Sequence, residues 1–342
     1  MERKLLLRNG AFRSWAIAAM LLLPPLIAVF CCGFGRMSLP PAKLIETAFL
    51  TLTGRDADPQ ARAVIFELRI PRILMAIAVG GGLGCAGAAC QALFSNPLAT
   101  PDILGVTSGT CVGAIFAILL SFNMAGIQAT ALLFGLFSVF VTLRISSGKR
   151  GISILFLVLS GVMISSLFNA LSSLLKYTAD PMDKLPQITY WLMGSFTGAS
   201  YRKLLIGSPM ILIGTALIYL LRWQFNILSL SEDEARASGI HLKRMRILLV
   251  LAITMITASS VSMCGQVGWV GLLIPHCARM MTGSNNRLVI PMSISLGASF
   301  LILIDTLSRT LTVIELPLSV LTAILGAPFF ILLLKRSERS FR

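Results

Sequence analysis

Charge is scarce in this sequence of 342 residues, where charged side chains make up only 13%. A soluble domain of similar size carries roughly a quarter of charged residues. Hydrophobic residues make up 56% of the chain, and the mean hydropathy is +0.85. This balance excludes an ordinary soluble domain and indicates a polytopic membrane protein. The net charge of +15 does not indicate a nucleic-acid partner, because the basic residues stand in short clusters between apolar runs.

The residue patterns of metal, nucleotide and catalytic sites are also missing. Two histidines, His241 and His276, are too few for a histidine-built metal centre. None of the seven cysteines belongs to a C-x-x-C pair, so neither a disulfide framework nor a zinc site is expected. The P-loop, H-E-x-x-H and G-x-S-x-G motifs are absent. We therefore expect no enzymatic activity, no ATP site, no metal and no bound cofactor on this chain.

Ionisable residues are nearly absent from the deep interior of the apolar segments. Asp305 is the clearest acid inside one of them, and Arg309, one turn later, can neutralise it. An ion-coupled transporter normally places ionisable groups at mid-membrane depth. The sequence therefore favours a pore that is driven by a separate motor, and an ion-coupled secondary transporter is the more remote alternative.

The chain does contain ten apolar segments of the length that a membrane crossing needs. They are 15–35, 64–94, a helix capped by Asp102, 125–145, 152–176, 204–221, 247–264, 268–282, 288–308 and 317–334. Ten crossings return both termini to one side, which the clusters of Lys and Arg mark as cytoplasmic. We therefore predict an all-α polytopic membrane protein with ten transmembrane helices in a single domain, 1–342. A surface helix is predicted over Pro41–Leu52, and the loop 178–191 receives no assignment.

Small residues recur every four positions in two neighbouring segments, namely Gly80, Gly84 and Ala88, then Gly105, Gly109 and Gly113. This spacing lets helix backbones approach closely in lipid. A Gly-rich helix pair interrupted by proline can also mark a transport site. The sequence leaves both interpretations open.

A polar segment at about 223–246 separates two apolar runs and carries its own helix signals. Ser231 is a good N-cap, and Glu234 three positions later completes a capping box. Glu232 adds negative charge to the first turn, and Gly239 supplies the stop. These signals predict a helix of roughly two turns outside the membrane. It could serve a partner protein or be an idle loop.

Three arginines on the predicted outer side, Arg69, Arg72 and Arg309, break the bias of basic residues toward the cytoplasm. Placement at the membrane interface is one explanation. An acidic docking partner in the outer compartment is the other.

Five blocks together resemble the permease subunits of ABC importers of the iron-siderophore, haem and cobalamin class (FecCD-type, vitamin B12 permease-like). The blocks are RIPRILMAIAVGGGLGCAGAACQALFSNPLATPDILGVTSG (69–109), YWLMGSF (190–196), LSLSEDEARASGI (228–240), VGWVGLLIPHCARMMTG (267–283) and DTLSRTLTVIELPLSVLTAILGAPFFILLLKR (305–336). They follow the family order and cover nearly the whole chain. One Gly-rich block would be weak support, but five in order are strong.

The resemblance implies a type II ABC importer fold, in which two permease subunits, here expected to be a homodimer, enclose a central path. Two cytoplasmic ATPase subunits that bind ATP and Mg would drive transport. A periplasmic or lipid-anchored binding protein would deliver the substrate, at the inner membrane of a bacterium. The coupling helix that contacts the ATPase would be formed by Ser231, Glu232, Glu234, Ala235, Arg236 and Gly239.

The resemblance also assigns roles elsewhere in the chain. Arg69, Arg72 and Arg309 match outer arginines that receive carboxylates from the binding protein, as exposed charge pairs. The cytoplasmic gate would lie at Gly151, Ile152 and Ser153. The fifth and tenth spans would line the path, with Ser165, Asn169 and Ser172 as a polar stripe, although helix-to-helix hydrogen bonds explain that stripe equally well. His276 has a family counterpart and is expected to be structural.

The cargo is the least determined feature. An iron(III)-siderophore is the first expectation, because it is the commonest cargo of the family. Haem, cobalamin and molybdate-type oxyanion importers share the scaffold and stay as alternatives.

Overall fold

The structure is a computed structural model that describes residues 6–8, 11–35, 37, 39–148, 151–229, 234 and 241–340. This part of the chain is almost entirely helical. Its α-helices of four residues or more are α1 Ser14–Cys32, α2 Pro41–Leu52, α3 Pro59–Leu93, α4 Val106–Leu119, α5 Met124–Ser146, α6 Ile154–Tyr177, α7 Lys184–Leu192, α8 Tyr201–Leu221, α9 Leu242–Cys264, α10 Val270–Thr282, α11 Asn286–Thr310 and α12 Leu318–Ser340. Two short 3-10 helices span Pro101–Leu104 and Gln224–Ser229, and α3 contains a π-helical segment, Ala63–Arg69.

Helices stand at all ten predicted spans. Seven of them (α1, α3, α5, α6, α8, α9 and α11) are long and apolar enough to cross a membrane by length and composition. The other three, α4, α10 and α12, have shorter apolar parts. The predicted surface helix is confirmed as α2, with the predicted bounds. The prediction of an all-α polytopic fold with ten transmembrane helices is thus confirmed.

Two β-hairpins complete the described chain. Strand β1 (Leu7–Arg8) pairs antiparallel with β2 (Ala11–Phe12) just before α1. Strand β3 (Ser147–Gly148) pairs antiparallel with β4 (Gly151–Ile152), in the register Ser147 to Ile152 and Gly148 to Gly151. The second hairpin joins α5 to α6.

Helix α3 is the centre of the bundle, and every residue of its part 79–93 is buried. Its small residues explain why four other helices can surround it. A methyl group added at Gly80 would lie 2.3 Å from the carbonyl oxygen of Gly297 in α11. One added at Gly87 would lie 2.0 Å from the carbonyl oxygen of Gly271 in α10. The glycine spacing in α3 therefore serves backbone-to-backbone packing.

Replacing Gly87 with alanine is expected to destabilise the bundle by about 3 kcal/mol, the upper part of the usual range for overpacking, because its Cβ would meet backbone that cannot rotate away. The midpoint of thermal unfolding in detergent measures the effect. Gly268→Ala is the matched control, since nothing lies within 4 Å of a Cβ at that position. Equal midpoints for the two variants would contradict the packing role of Gly87.

The bundle has two ends, and each is named here for the chain segments that meet there. The arginine end comprises the described parts of 33–58, 120–123, 178–200 and 311–317, together with the helix turns that adjoin them, 59–72, 201–203 and 305–310. Within it, Tyr201 Oη donates to the Phe66 carbonyl oxygen at 2.7 Å. The hairpin end comprises the described parts of 94–99, 147–153, 222–241 and 283–285, together with the first residues of α9, 242–246. There Asn226 Nδ2 donates to Asn285 Oδ1 at 2.9 Å.

Helix α2 is attached to the start of α3 by an exposed ion pair. Lys43 Nζ lies 2.7 Å from Asp58 Oδ2, and the other Asp58 oxygen accepts a hydrogen bond from the Gln60 backbone N–H at 3.0 Å. The hydrogen bond from Lys43 lowers the pKa of Asp58 below its ordinary value, and the helix N–H adds to this. Asp58 therefore acts as the N-cap of α3.

Two loops differ from the sequence prediction. Asp102 was predicted to cap the third span, but it lies inside the 3-10 helix, and α4 begins only at Val106. Gly105, with a φ of +80°, makes the turn between the two, a backbone conformation that glycine adopts without strain. The unassigned loop 178–191 contains most of α7, a helix of nine residues.

Candidate functional site

The three predicted docking arginines come together at the arginine end, with Arg72 at the centre. Arg72 Nε donates to Asp305 Oδ1 at 2.6 Å, and its two terminal nitrogens donate to the carboxylate of Glu315 at 2.9 and 2.7 Å. Thr197 Oγ1 donates to the same carboxylate at 2.8 Å. The Arg72 guanidinium thus links α3 to α11 and to the loop before α12, and Glu315 in turn links that loop to the loop before α8.

Arg69 and Arg309 flank this centre and are almost fully buried, with 4% and 7% of their surface exposed. Arg69 donates to the carbonyl oxygens of Cys32 and Met37. Arg309 Nη2 donates to the Cys31 carbonyl oxygen at 2.8 Å, and its Nε lies 3.6 Å from Asp305 Oδ2. Asp305 is therefore closer to Arg72 than to Arg309, the partner that helical spacing predicted.

A cavity of about 330 Å³, which we call the arginine cavity, opens beside these groups and is lined by Arg69, Arg72, Arg309, Glu315, Phe196 and Gly198, among others. The arginines are not freely exposed, as the docking role had implied, because each guanidinium already bonds to groups of its own chain. The docking role itself stays a prediction. Three arginines against two carboxylates nevertheless leave the cluster with one net positive charge. Glu315 and Thr197 were not singled out from the sequence. Glu315 could have been, as the only acid in the segment 311–317.

The predicted polar stripe on the fifth span is only partly exposed. Asn169 is exposed, Ser165 is half-buried, and Ser172 is buried with its Oγ unpaired among the described residues. The exposed face of α6 is instead mainly apolar, with Leu155, Phe156, Leu159, Val162, Met163, Leu167, Leu171 and Leu174. The exposed Ser166 and Ser173 donate to carbonyl oxygens one turn earlier, at 2.9 and 3.0 Å. Of the three predicted residues, only Asn169 presents polarity on this surface.

The predicted gate residues lie at the hairpin end. Gly151 and Ile152 form β4, and Ser153 is the exposed, extended residue immediately before α6. The hairpin therefore connects directly to the helix whose apolar face is exposed. A movement of the hairpin would be transmitted to the first turn of α6.

Most of the predicted coupling helix falls outside the described residues, namely Ser231, Glu232, Ala235, Arg236 and Gly239. Glu234 is described, and it is helical and exposed. The segment before it is anchored to the bundle. Asn226 Oδ1 accepts from the Asn286 backbone N–H at 2.9 Å, and Ser95 Oγ donates to the Leu228 carbonyl oxygen at 3.4 Å. The start of α11 and the end of α3 are therefore both tied to the base of this segment.

His276, predicted to be structural, packs against an aromatic ring. Its ring centroid lies 5.3 Å from that of Phe330 in an edge-on arrangement, and Phe330 makes a second edge contact with Trp269 at 6.4 Å. The Nε2 of His276 is buried without a hydrogen-bond partner among the described residues. These contacts join α10 to α12 by packing.

Comparison with known proteins assigns this arrangement of helices to a family. The FecCD transport family matches residues 21–336. The chain belongs to the FecCD transport family. It is therefore a permease subunit of an ABC importer, a multi-pass membrane component of transport systems that work with ATPase and substrate-binding partners.

Individual FecCD relatives cover almost the whole chain. The molybdate import permease MolB of Haemophilus influenzae is 39% identical over 93% of this chain and 94% of its own length. A probable iron chelatin permease of Helicobacter pylori is 37% identical over 80% of this chain and 83% of its own. A solved inward-facing structure of a putative metal-chelate type ABC transporter has a TM-score of 0.86 at 37% identity, and covers 95% of this chain and 100% of its own. The predicted family is confirmed.

Proposed function

We propose that this chain forms a homodimeric permease that imports an iron(III)-siderophore, with ATP hydrolysed on two separate ATPase subunits. The chain itself holds no ATP site and no cofactor, since ATP and Mg belong to the partners. One observation carries the proposal: the middle of each of the ten helices that stand at the predicted spans is free of charged residues. A path driven by an ion gradient normally relays ions or protons through several ionisable groups at that depth, and the single carboxylate of Asp102, in the turn before α4, does not form such a relay. The energy must therefore come from outside the permease.

The homodimer is supported by apolar faces that the single chain leaves exposed. Helix α6 presents one such face, and α12 presents another with Ile324, Leu325, Phe329, Ile331 and Leu332. These are the fifth and tenth spans. A second copy of the chain would face them across a central path, while the remaining exposed apolar surface meets lipid.

The arginine end is proposed to face outward and the hairpin end to face the cytoplasm, together with both termini. The support is the excess of Lys and Arg in the segments of the hairpin end, such as Lys243, Arg244 and Arg246. In this orientation the net positive arginine cavity meets the substrate-binding protein. Acidic groups on that protein would be steered toward Arg69, Arg72 and Arg309, which mainly speeds and orients docking. The coupling segment about 223–246 then meets the ATPase.

An iron(III)-siderophore is the first cargo candidate, because the helix faces proposed to line the path are uncharged and largely apolar, which suits a bulky chelate. The permease does not need to bind the chelate tightly, since the binding protein supplies the affinity. The iron chelatin permease of Helicobacter pylori is compatible with this choice. A molybdate-type oxyanion is the second candidate, favoured by the name and the 39% identity of MolB. Haem and cobalamin are further alternatives within the same fold.

Reconstitution tests the proposal. The permease, its ATPase and its binding protein are placed in proteoliposomes, and uptake of radioactive iron chelate and radioactive molybdate is followed. We expect ATP-dependent accumulation of the iron chelate and little molybdate uptake. The control contains the permease alone with a proton or sodium gradient, and accumulation there would show that the separate motor is not the energy source. ATP-dependent uptake of molybdate alone would replace the first cargo by the second.

A further inference from the structure

A second cavity lies inside the bundle, beside Leu83, ten residues before the end of α3. We call it the central cavity. It has a volume of about 320 Å³ and is lined by Leu83, Asp102, Thr107, Thr257, Gln266 and Trp269, among others. The carboxylate of Asp102 and the polar side chains of Thr107, Thr257 and Gln266 thus meet in a region that the sequence indicated to be uncharged.

Two irregular backbone segments border the central cavity at membrane depth. Helix α4 has 14 residues and α10 has 13, so each is about 20 Å long. A bilayer core is roughly 30 Å thick. The turn Thr100–Gly105 before α4 and the loop 265–269 before α10 therefore lie within that depth. Irregular backbone is tolerated there only where protein buries it or where it lines a water-filled cavity.

Asp102 shows that water reaches the central cavity. Its side chain is exposed and accepts a hydrogen bond from Thr107 Oγ1, and no cation pairs with it among the described residues. An unpaired carboxylate at membrane depth faces a water-filled space and not lipid. Thr257, which is 2% exposed, lines the same cavity, and its Oγ1 has no hydrogen-bond partner among the described residues. Its free hydroxyl requires water or a ligand.

The central cavity lies between the two helices that are proposed to line the path. On one side α6 touches the 3-10 helix, because a methyl group on Gly161 would lie 1.9 Å from the Ile103 carbonyl oxygen. On the other side α12 contributes Ser319 and packs Gly326 onto Trp269, where an added methyl would lie 3.1 Å from the Trp269 Cβ. Trp269 has a φ of +68°, a rare conformation for a bulky residue that the surrounding packing maintains.

We propose that the central cavity is a water-filled waypoint on the translocation path, where Asp102 favours neutral or cationic, hydrogen-bond-donating groups of the cargo and disfavours small anions. The inference rests on the proposed function only for the identity of the cargo. A chelate that carries amide or hydroxyl donors meets acceptors at Asp102 and Thr257. Molybdate, a small dianion, would be repelled by the carboxylate. The cavity therefore favours the first cargo candidate over the second.

Charge-selective labelling tests the waypoint without any cargo. Thr100→Cys is introduced at the edge of the central cavity, in the complete permease–ATPase complex in proteoliposomes. Its labelling rate is measured with a cationic and an anionic methanethiosulfonate of similar size, with and without ATP. Each rate is divided by the rate of the same reagent with a free thiol in solution, because the thiolate itself attracts the cationic reagent. We expect this normalised ratio of cationic to anionic labelling to be about ten, since the two reagents differ by two charges and one nearby carboxylate in a narrow, partly screened space suffices for such a ratio. Adding Asp102→Asn should bring the ratio close to one.

The unmodified chain supplies the background, which should be low because six of the seven cysteines are buried and Cys277 is half-buried. Asp56→Asn is the matched control, because it removes the same charge from an exposed position at the arginine end. It should leave the ratio unchanged. The proposal is overturned if neither reagent reaches Thr100→Cys in either nucleotide state, if Asp102→Asn leaves the ratio unaltered, or if Asp56→Asn lowers it equally.

The two proposals fail separately. Charge-selective labelling without uptake of iron chelate would reject the proposed cargo and keep the waypoint. Uptake of iron chelate without charge-selective labelling would reject the waypoint and keep the proposed function.

Discussion

Replacing Arg72 with alanine is expected to destabilise the arginine end by about 3–5 kcal/mol, the cost of leaving a buried charge without its partner. Asp305, which is 1% exposed, would lose its nearest cation, and Glu315 would lose two hydrogen bonds. The loop before α12 would also lose its link to α3, although Thr197 in the loop before α8 would still donate to Glu315. The midpoint of thermal unfolding of the purified permease in detergent should fall, and ATP-dependent uptake in proteoliposomes should be lost.

A matched arginine variant and a double variant make this test specific. Arg287→Ala removes an exposed arginine from α11 and should leave the unfolding midpoint nearly unchanged. Adding Asp305→Asn to Arg72→Ala should recover part of the stability, because the buried carboxylate that has lost its nearest cation is then neutral. A midpoint for Arg72→Ala equal to that of the original protein would show that the network contributes nothing. A double variant no more stable than Arg72→Ala would show that the loss does not come from Asp305.

The helices could be predicted from the sequence because each depends on its own residues. An apolar run long enough to cross a bilayer has few alternatives to a helix, since its backbone groups must bond within the segment. The α2 helix was predicted to the residue, with Pro41 at its first position where proline is favoured. The family could be predicted for the same reason, because its blocks are local and follow one another in order.

The arginine cluster could be predicted only in part. Charge bias identified Arg69, Arg72 and Arg309 as unusual, but helical spacing paired Asp305 with Arg309. The closer partner of Asp305 is Arg72, which is 233 positions away in the chain. Such a pair depends on how α3 and α11 pack, and the burial of Arg69 depends on the chain at Cys32 and Met37. One sequence contains no direct signal for either.

The central cavity could be predicted only in part. The Gly-rich helix pair interrupted by proline left a transport site open, but Asp102 has the sequence features of an ordinary helix cap. From the sequence alone, its position after Pro101 and before a Gly-rich helix predicts a place at the membrane surface. Only the length of α4 shows that the turn lies deeper. The prediction of an almost uncharged interior was therefore correct for the helices and incomplete for the turns between them.

Glu234→Lys is expected to lower ATP-dependent uptake at least tenfold while ATP hydrolysis by the complex continues. At the third position of the predicted coupling helix, a glutamate can accept a hydrogen bond from the N-cap N–H, and its negative charge interacts favourably with the positive end of the helix dipole. A lysine at this position cannot accept that hydrogen bond, and its positive charge is repelled by the dipole. Gly239→Val should act similarly, because a β-branched residue does not tolerate the left-handed stop that glycine permits. Uptake and hydrolysis are measured on the same proteoliposomes, and their ratio reports coupling.

The coupling role requires that this effect depend on position. Glu46→Lys makes the same change at an exposed site of α2, at the arginine end, and should leave both uptake and hydrolysis unaltered. Asn226 and Leu228 tie the base of the segment to α11 and α3, so a force applied at Glu234 has a direct route into the helices around the central cavity. Coupling requires an element whose conformation depends both on the ATPase and on the translocation path, and the predicted coupling helix is that element. If the ATPase can no longer move this helix, ATP hydrolysis should continue without transport. Unchanged uptake in Glu234→Lys and Gly239→Val would mean that the ATPase acts on the permease through another surface.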